Sequence, residues 1–405
     1  MYGLLGEKLG HSYSKLIHGM LAEYQYEMFP TERDKLKDFM HSGCFQGLNV
    51  TIPYKKSVIP YCKTLSDEAK KIGSVNTVIA DKKGELHGYN TDYYGFLYMA
   101  NAIGVSFSGK KVLVLGSGGT SLTACAAVRD SKGDAIVISR SGKDSYDNIQ
   151  KHADADIIVN TTPVGMFPSN GQQPVDLSEF PDCSAVFDVI YNPHLTRLLM
   201  QAQELGIPYS GGLRMLVAQA KRACELFEDR HIDDSVIEEI KTKIEKTALN
   251  IVLIGMPGCG KSSVGAAVAH RLGRDFCDID TLITEKIGMD IPRFFEEHGE
   301  TEFRKIEAEV AAECGKKSGL VISTGGGIVK SHMNYESLRQ NGIIVYLKRE
   351  VERLDTDRRP LSSDAAALKK LCEERIPLYN KYAEITVDNN CDFESAVSAV
   401  CGVAL

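Results

Sequence analysis

Short runs dense in Val, Ile and Leu recur along the chain, namely KKVLVLG (110–116), DAIVIS (134–139), ADIIVN (155–160), SAVFDVI (184–190), NIVLIG (250–255), GLVIST (319–324) and GIIVYL (342–347). They alternate with stretches of helical apolar spacing, which predicts βαβ units, largely parallel sheets and an α/β fold class. Residues 213–246 break the alternation. Apolar positions recur there at helical spacing without a strand run, which predicts paired helices closing the first half. The charged stretch KTKIEKTALN (241–250) then leads straight into the strand before Gly255. This places a boundary near residue 248 with no long flexible linker.

Length adds that one core is not enough: 405 residues call for two or three domains. Hydrophobic residues at 43% and charged residues at 25% fit a soluble globular protein. The net charge of −7 is spread thinly and Lys and Arg form no stripe, so the expected partners are small molecules, not nucleic acid. The chain has no apolar run of membrane-spanning length and no leader-like start, so a cytoplasmic location is expected, as monomer or homodimer. Eleven cysteines lie singly, without a CxxC pair or a His at zinc spacing, and are expected to be reduced and non-ligating.

Two strands run into glycine-rich turns of different chemistry. In GSGGTS (116–121), Gly116, Gly118 and Gly119 resemble the Rossmann turn, where backbone N–H groups approach a pyrophosphate, although Ser121 takes the third glycine position. A tight connection with no ligand gives the same pattern. The next strand ends in Ser139, Arg140 and Ser141 where an NAD site would carry Asp or Glu, so a 2′-phosphate and NADP(H) are favoured. The second turn, Gly255 to Ser262, is GxxxxGKS between a strand and a helix, the P-loop in its required context. Gly258, Cys259, Gly260, Ser262 and Ser263 would cradle the phosphates of ATP, Lys261 would neutralise them, and Ser262 would bind Mg²⁺.

The segments GHSYSK (10–15), NVTIPYK (49–55), VNTVIADKKGELHGYNTD (75–92), NTTPVGM (160–166), DVIYNP (188–193) and GGLRMLVAQA (211–220) together resemble shikimate dehydrogenases from residue 1 to about 245. The resemblance implies that Lys55 and Asp92 form the catalytic pair, with Lys55 protonating the carbonyl oxygen of 3-dehydroshikimate and Asp92 orienting it. It further implies that Ser12 and Ser14 hold the substrate carboxylate, that Thr51, Asn76 and Gln219 meet ring hydroxyls, and that Tyr191 lines the site. Out of context, a lone Lys or Asp is a surface ion-pair partner and Ser, Thr and Asn shape turns.

From 249 to 405, FCDIDTLI (276–283), IPRFFEEHGETEFRKIE (291–307), STGGGIV (323–329), DRRPL (357–361) and RIPLYNKYA (375–383) resemble shikimate kinases. This implies a carboxylate clamp by Arg304 and Arg375, acceptance of the reacting hydroxyl's proton by Asp280, and Mg²⁺ ordering by Asp278. It also implies substrate lining by Gly325, Gly326 and Gly327, and a lid carrying Arg359. Glu307, one turn after Arg304, would hold that arginine. Ser362 stands where the family has an apolar residue, and the lid around it is short.

The expected architecture is an α/β substrate-binding domain (1–98) with the 213–246 helices packing on it, a Rossmann domain (99–212), and a P-loop kinase sandwich (249–405). The expected function is reduction of 3-dehydroshikimate to shikimate with NADPH, then phosphorylation of shikimate with ATP. Two other readings stay open: a non-catalytic ligand sensor, which the intact Lys55, Asp92, Lys261 and Asp280 oppose, and a quinate-reducing NAD enzyme, which Arg140 opposes.

Overall fold

The computed structural model describes residues 1–10, 12–354 and 365–403. The chain forms two compact units: Met1–Met166 with Gln172–Tyr191 and Leu198–Lys243, and Phe167–Gly171 with Asn192–Arg197 and Ile244–Leu405.

The first unit holds two sheets. Strands β1 (Tyr2–Gly6), β2 (Tyr26–Pro30), β3 (Gly47–Val50), β4 (Thr64–Leu65), β5 (Thr77–Ala80) and β6 (Leu86–Tyr89) form one, in the order β2-β1-β3-β5-β6-β4. This sheet is mixed, whereas the sequence pattern predicts largely parallel sheets. β5 is antiparallel to both β3 and β6. The connection from β5 to β6 explains the hairpin, because five residues are too few for a crossover. Asp81 closes that turn by accepting from the backbone N–H of Lys83 at 2.8 Å and of Glu85 at 2.9 Å.

The second sheet, β7 (Lys111–Leu115), β8 (Asp134–Ile138), β9 (Ile157–Asn160), β10 (Ala185–Asp188) and β11 (Tyr209–Ser210), is parallel throughout, in the order β11-β10-β9-β7-β8. Its inner strands β7, β9 and β10 are buried on both faces, which is why they read as continuous apolar runs. Val112, Val114, Phe107 and Phe187 are all essentially buried in that core, and each such Phe contributes about 1.5–3 kcal/mol. Order reverses at β7, the place where ligands bind in open α/β sheets.

Helix Gly212–Glu228 packs on helices Ser14–Leu21 and Thr91–Asn101. Gly95 permits the close helix pair: a Cβ there would stand 2.6 Å from the Met215 carbonyl oxygen. Within the same unit Lys221 is buried against Glu225 and Asp234, both at 2.8 Å.

In the second unit β12 (Asn250–Ile254), β13 (Phe276–Asp278), β14 (Val321–Ser323), β15 (Gly342–Lys348) and β16 (Ile385–Asp388) form a parallel sheet in the order β13-β14-β12-β15-β16. β12 is central, and helix Lys261–Leu272 leaves its C-terminal end through the glycine loop. Among the described residues no helix is long and apolar enough to cross a membrane, and all eleven cysteines are free, seven of them buried.

Candidate active sites

In the first unit a cavity of about 420 Å³ gathers Ser12, Ser14, Thr51, Lys55, Asn76, Asp92, Tyr191 and Gln219, all the predicted substrate-side residues. Lys55 follows β3 and Asp92 lies in the first turn of helix Thr91–Asn101, so folding closes a separation of 37 residues. The Lys55 Nζ donates to Asp92 Oδ2 at 2.6 Å, with the two side chains 22% and 12% exposed. Asp92 gains from the helix N-terminus, whose free N–H groups favour a carboxylate.

Asn90 caps this helix by accepting from the Tyr93 N–H at 3.2 Å, and its own amide donates to the Ser74 carbonyl at 2.9 Å. The turn that carries Asp92 is thereby fixed. The Asn76 oxygen accepts from the Thr91 N–H at 2.6 Å, while its amide donates to Thr91 Oγ1 at 3.0 Å and Gln219 Oε1 at 3.5 Å. Thr91, which the sequence reading passed over, thus joins Asn76 to Gln219. Its only sequence signal is its place beside Asp92 in YNTD.

Ser12 Oγ donates to Ser14 Oγ at 2.9 Å and accepts from the Ser14 N–H at 3.2 Å, at the start of helix Ser14–Leu21. Paired hydroxyls at a helix N-terminus suit a carboxylate. Asn49 also lines the cavity and accepts from the Tyr26 hydroxyl at 2.8 Å. His18 stacks on Tyr26 with ring centroids 4.1 Å apart, and burial lowers its pKa to about 3, so the ring is neutral beside the pocket. Tyr191 packs on Tyr13 at 5.9 Å.

Gly119 and Thr120 from the dinucleotide turn line the same cavity, with Met166 and Val189. Gly116, Gly118, Ser139, Arg140 and Ser141 lie outside that lining. The Gly116 N–H donates to the Ile138 carbonyl at 2.8 Å, which sets the glycine turn directly beside the strand end bearing Ser139 and Arg140. An NADP dinucleotide fits the turn. A Cβ at Gly118 or Gly119 would meet nothing within 4 Å, and the helix beginning at Gly119 has no side-chain cap, so its N–H groups stay free for phosphate. Ser121 at the third glycine position is buried in that helix.

In the second unit a cavity of about 690 Å³ is lined by Gly258, Gly260, Lys261, Ser262, Ser263, Asp280, Arg304, Gly325, Gly326, Gly327 and Arg375. Among all its charged lining residues four are cations, Lys261, Arg304, Arg349 and Arg375, against the two carboxylates Asp280 and Glu307. This balance suits anionic ligands. Cys259 is buried behind the loop.

Lys261, only 7% exposed, donates from its Nζ to the carbonyls of Gly255 at 2.9 Å and Met256 at 3.0 Å. Ser262 Oγ donates to Asp278 Oδ2 at 2.6 Å and lies 3.2 Å from Ser323 Oγ. Hydroxyl and carboxylate oxygens converging beside a phosphate loop fit Mg²⁺, a hard cation that takes oxygen ligands and keeps water.

Arg304 donates from Nη1 to Glu307 at 2.8 Å and from Nη2 to Glu300 at 3.0 Å. Burial opposes its charge, yet the two glutamates outweigh burial and raise its pKa. Burial raises the pKa of Glu307, with Arg304 opposing. Arg375 is 7% exposed and its Nε is buried without a hydrogen-bond partner among the described residues. The glycine triplet has no room for side chains, since Cβ atoms at Gly325, Gly326 and Gly327 would stand 2.6–2.7 Å from Asp280, Pro257 and Arg304 respectively. Tyr379, unremarked in the sequence reading, donates to the Gly326 carbonyl at 2.6 Å and ties the helix bearing Arg375 to the triplet. Arg359 and Ser362 lie outside the described residues.

The shikimate dehydrogenase (NADP(+)) of Clostridium beijerinckii is 35% identical over 265 residues, which cover 60% of this chain and 97% of that protein. The chain belongs to the shikimate dehydrogenase family. The family model of the shikimate dehydrogenase substrate binding domain matches residues 4–78. A chorismate mutase/shikimate 5-dehydrogenase fusion protein from Clostridium acetobutylicum is similar in structure, with a TM-score of 0.58 and 37% identity over 60% of this chain and 97% of that one. The Thermus thermophilus shikimate 5-dehydrogenase solved with NADP(H) and shikimate gives a TM-score of 0.55 at 30% identity, covering 59% and 97%. Residues 257–402 match the shikimate kinase family model, so the shikimate dehydrogenase portion is fused to a kinase portion.

Proposed function

We propose that the chain catalyses two consecutive reactions, NADPH-dependent reduction of 3-dehydroshikimate to shikimate and ATP-dependent phosphorylation of shikimate to shikimate 3-phosphate. The observation that carries this reading is the presence, in one chain, of a Lys55–Asp92 pair beside a dinucleotide turn and of a P-loop facing Asp280 and two arginines. Residues 1–98, 99–212 and 249–405 take the roles of substrate domain, dinucleotide domain and kinase domain, with helices 213–246 completing the first.

Bound NADPH supplies hydride and bound Mg²⁺–ATP supplies the phosphoryl group. In the reduction Lys55 gives a proton from Nζ to the former carbonyl oxygen, and Asp92 keeps the ammonium pointed there. Ser12 and Ser14 receive the carboxylate, while Thr51, Asn76 and Gln219 fix the hydroxyls and Tyr191 walls the pocket. Ser139, Arg140 and Ser141 receive the 2′-phosphate. In the phosphorylation Arg304 and Arg375 hold the carboxylate, and Asp280 accepts the proton of the attacking hydroxyl. Lys261 and the loop N–H groups of Gly258 to Ser263 carry phosphate charge, Ser262 and Asp278 hold Mg²⁺, and Arg359 is assigned to the transferred group.

Mass spectrometry of a reaction holding the purified chain, 3-dehydroshikimate, NADPH, ATP and Mg²⁺ tests the proposal. Shikimate 3-phosphate is expected; accumulation of free shikimate alone would remove the kinase half, and unreacted 3-dehydroshikimate the dehydrogenase half.

Two substitutions probe specificity. Arg140→Asp should raise the KM for NADPH about 10- to 100-fold, the worth of hydrogen bonds to a charged group, with little change for NADH. Equal losses for both cofactors would clear Arg140 of the 2′-phosphate. Arg304→Lys keeps the charge but loses the planar fork, and the shikimate KM of the kinase should rise about tenfold. An unchanged KM would take Arg304 out of the clamp.

A further inference from the structure

Arg349 follows directly on β15, whose residue Tyr346 pairs with Ile254 at the end of β12, so the arginine leaves the sheet beside the phosphate loop. Its Nη1 lies 3.8 Å from the point where a Cβ on Gly260 would stand. Gly260, with φ +92°, has no side chain to fill that space and immediately precedes Lys261. Asn389 shares that space, its Nδ2 standing 3.3 Å from the same point, and it holds the loop in place. Asn389 donates to the Cys259 carbonyl at 2.6 Å, and the Asn389 N–H donates to the Lys348 carbonyl at 2.8 Å.

The neighbouring charges are committed. Glu350 pairs with Arg353 at 3.1 Å, and Arg353 also donates to the Asn390 carbonyl at 2.5 Å. Arg349 has no such partner: among the described residues its Nε is buried with no hydrogen bond, and no carboxylate lies within ion-pairing distance. A half-buried guanidinium without a counter-charge carries a desolvation cost that a bound anion would remove. It lines the same cavity as Lys261, and the helix at Lys261 has no side-chain cap, so loop N–H groups, ammonium and guanidinium converge on one space.

We infer that Arg349 is a nucleotide-binding residue of the kinase site, which presents its guanidinium to the phosphate chain across Gly260. This rests on the ATP reading of the P-loop given above. It adds a cation that the glycine-lysine signature does not contain, since Arg349 lies 88 positions beyond Lys261 in the chain.

Calorimetric titration of ADP into the full chain, together with kinase kinetics, tests the inference. Arg349→Gln should weaken ADP binding about tenfold, the worth of one charge-assisted hydrogen bond. It should leave the shikimate KM and the melting temperature unchanged. Arg349→Lys, which keeps a point charge, should recover affinity to within about threefold of the parent. The inference is overturned if Arg349→Gln binds ADP within twofold of the parent, or if Arg349→Lys is as weak as Arg349→Gln, which would indicate stacking on the base. A parallel rise in both substrate KM values would indicate a structural role and overturn it too. Failure of the unaltered chain to bind ADP would instead remove the nucleotide reading of the P-loop.

Discussion

Replacing Lys55 by Met is expected to slow reduction of 3-dehydroshikimate by about 10²–10⁴-fold, the usual contribution of a positioned acid. NADPH affinity and the kinase rate should be unchanged. The side chain keeps its length and packing but loses the ammonium that pairs with Asp92 in this pocket, where the Nζ to Oδ2 distance is 2.6 Å. Lys55→Arg separates position from proton supply: a guanidinium can keep the ion pair, yet it does not give up a proton near neutral pH. Both variants should therefore be slow, with Lys55→Arg alone retaining a parent-like melting temperature. Stopped-flow observation of NADPH oxidation decides the matter, and a Lys55→Met rate within tenfold of the parent would move the proton source elsewhere.

Lys261→Ala should lower phosphorylation by at least about 10²-fold, comparable to losing one preorganised donor at the site of developing charge. The dehydrogenase rate should not move. The ammonium is held by the carbonyls of Gly255 and Met256, so it is already poised inside the loop. Its removal takes a full charge from a space built around anions. With all substrates present the variant should accumulate shikimate, readable by mass spectrometry; continued formation of the phosphate ester at the parent rate would mean that the P-loop is not the phosphate site.

How far the sequence carries the site depends on how local each element of chemistry is. The P-loop is readable because one short stretch holds its glycines, Lys261 and Ser262 between a strand and a helix. Lys55 and Asp92 stand 37 residues apart, and only family motifs brought them together before the fold did. Thr91 and Tyr379 were missed because their roles are hydrogen bonds to distant partners, Asn76 and Gly326, which no local spacing encodes. Arg349 was invisible for another reason: one arginine after a strand is ordinarily a solvated charge, and only the missing partner beside Gly260 marks it. Parallel strands were legible as apolar runs, whereas the antiparallel β5–β6 hairpin was not, because β6 is LHGY and carries little apolar pattern.

The hydrogen-only side chain at Gly95 acts as the gauge of the dehydrogenase pocket. One of the two helices it lets approach carries Asp92, and the other carries Gln219, whose Cβ lies 3.2 Å from the point a methyl on residue 95 would occupy. A single added carbon would push these walls apart without touching any ligand. The width of this pocket is thus calibrated from behind its surface, and engineers seeking a wider one have a dial there that shifts the walls while leaving the identity of every lining residue unchanged.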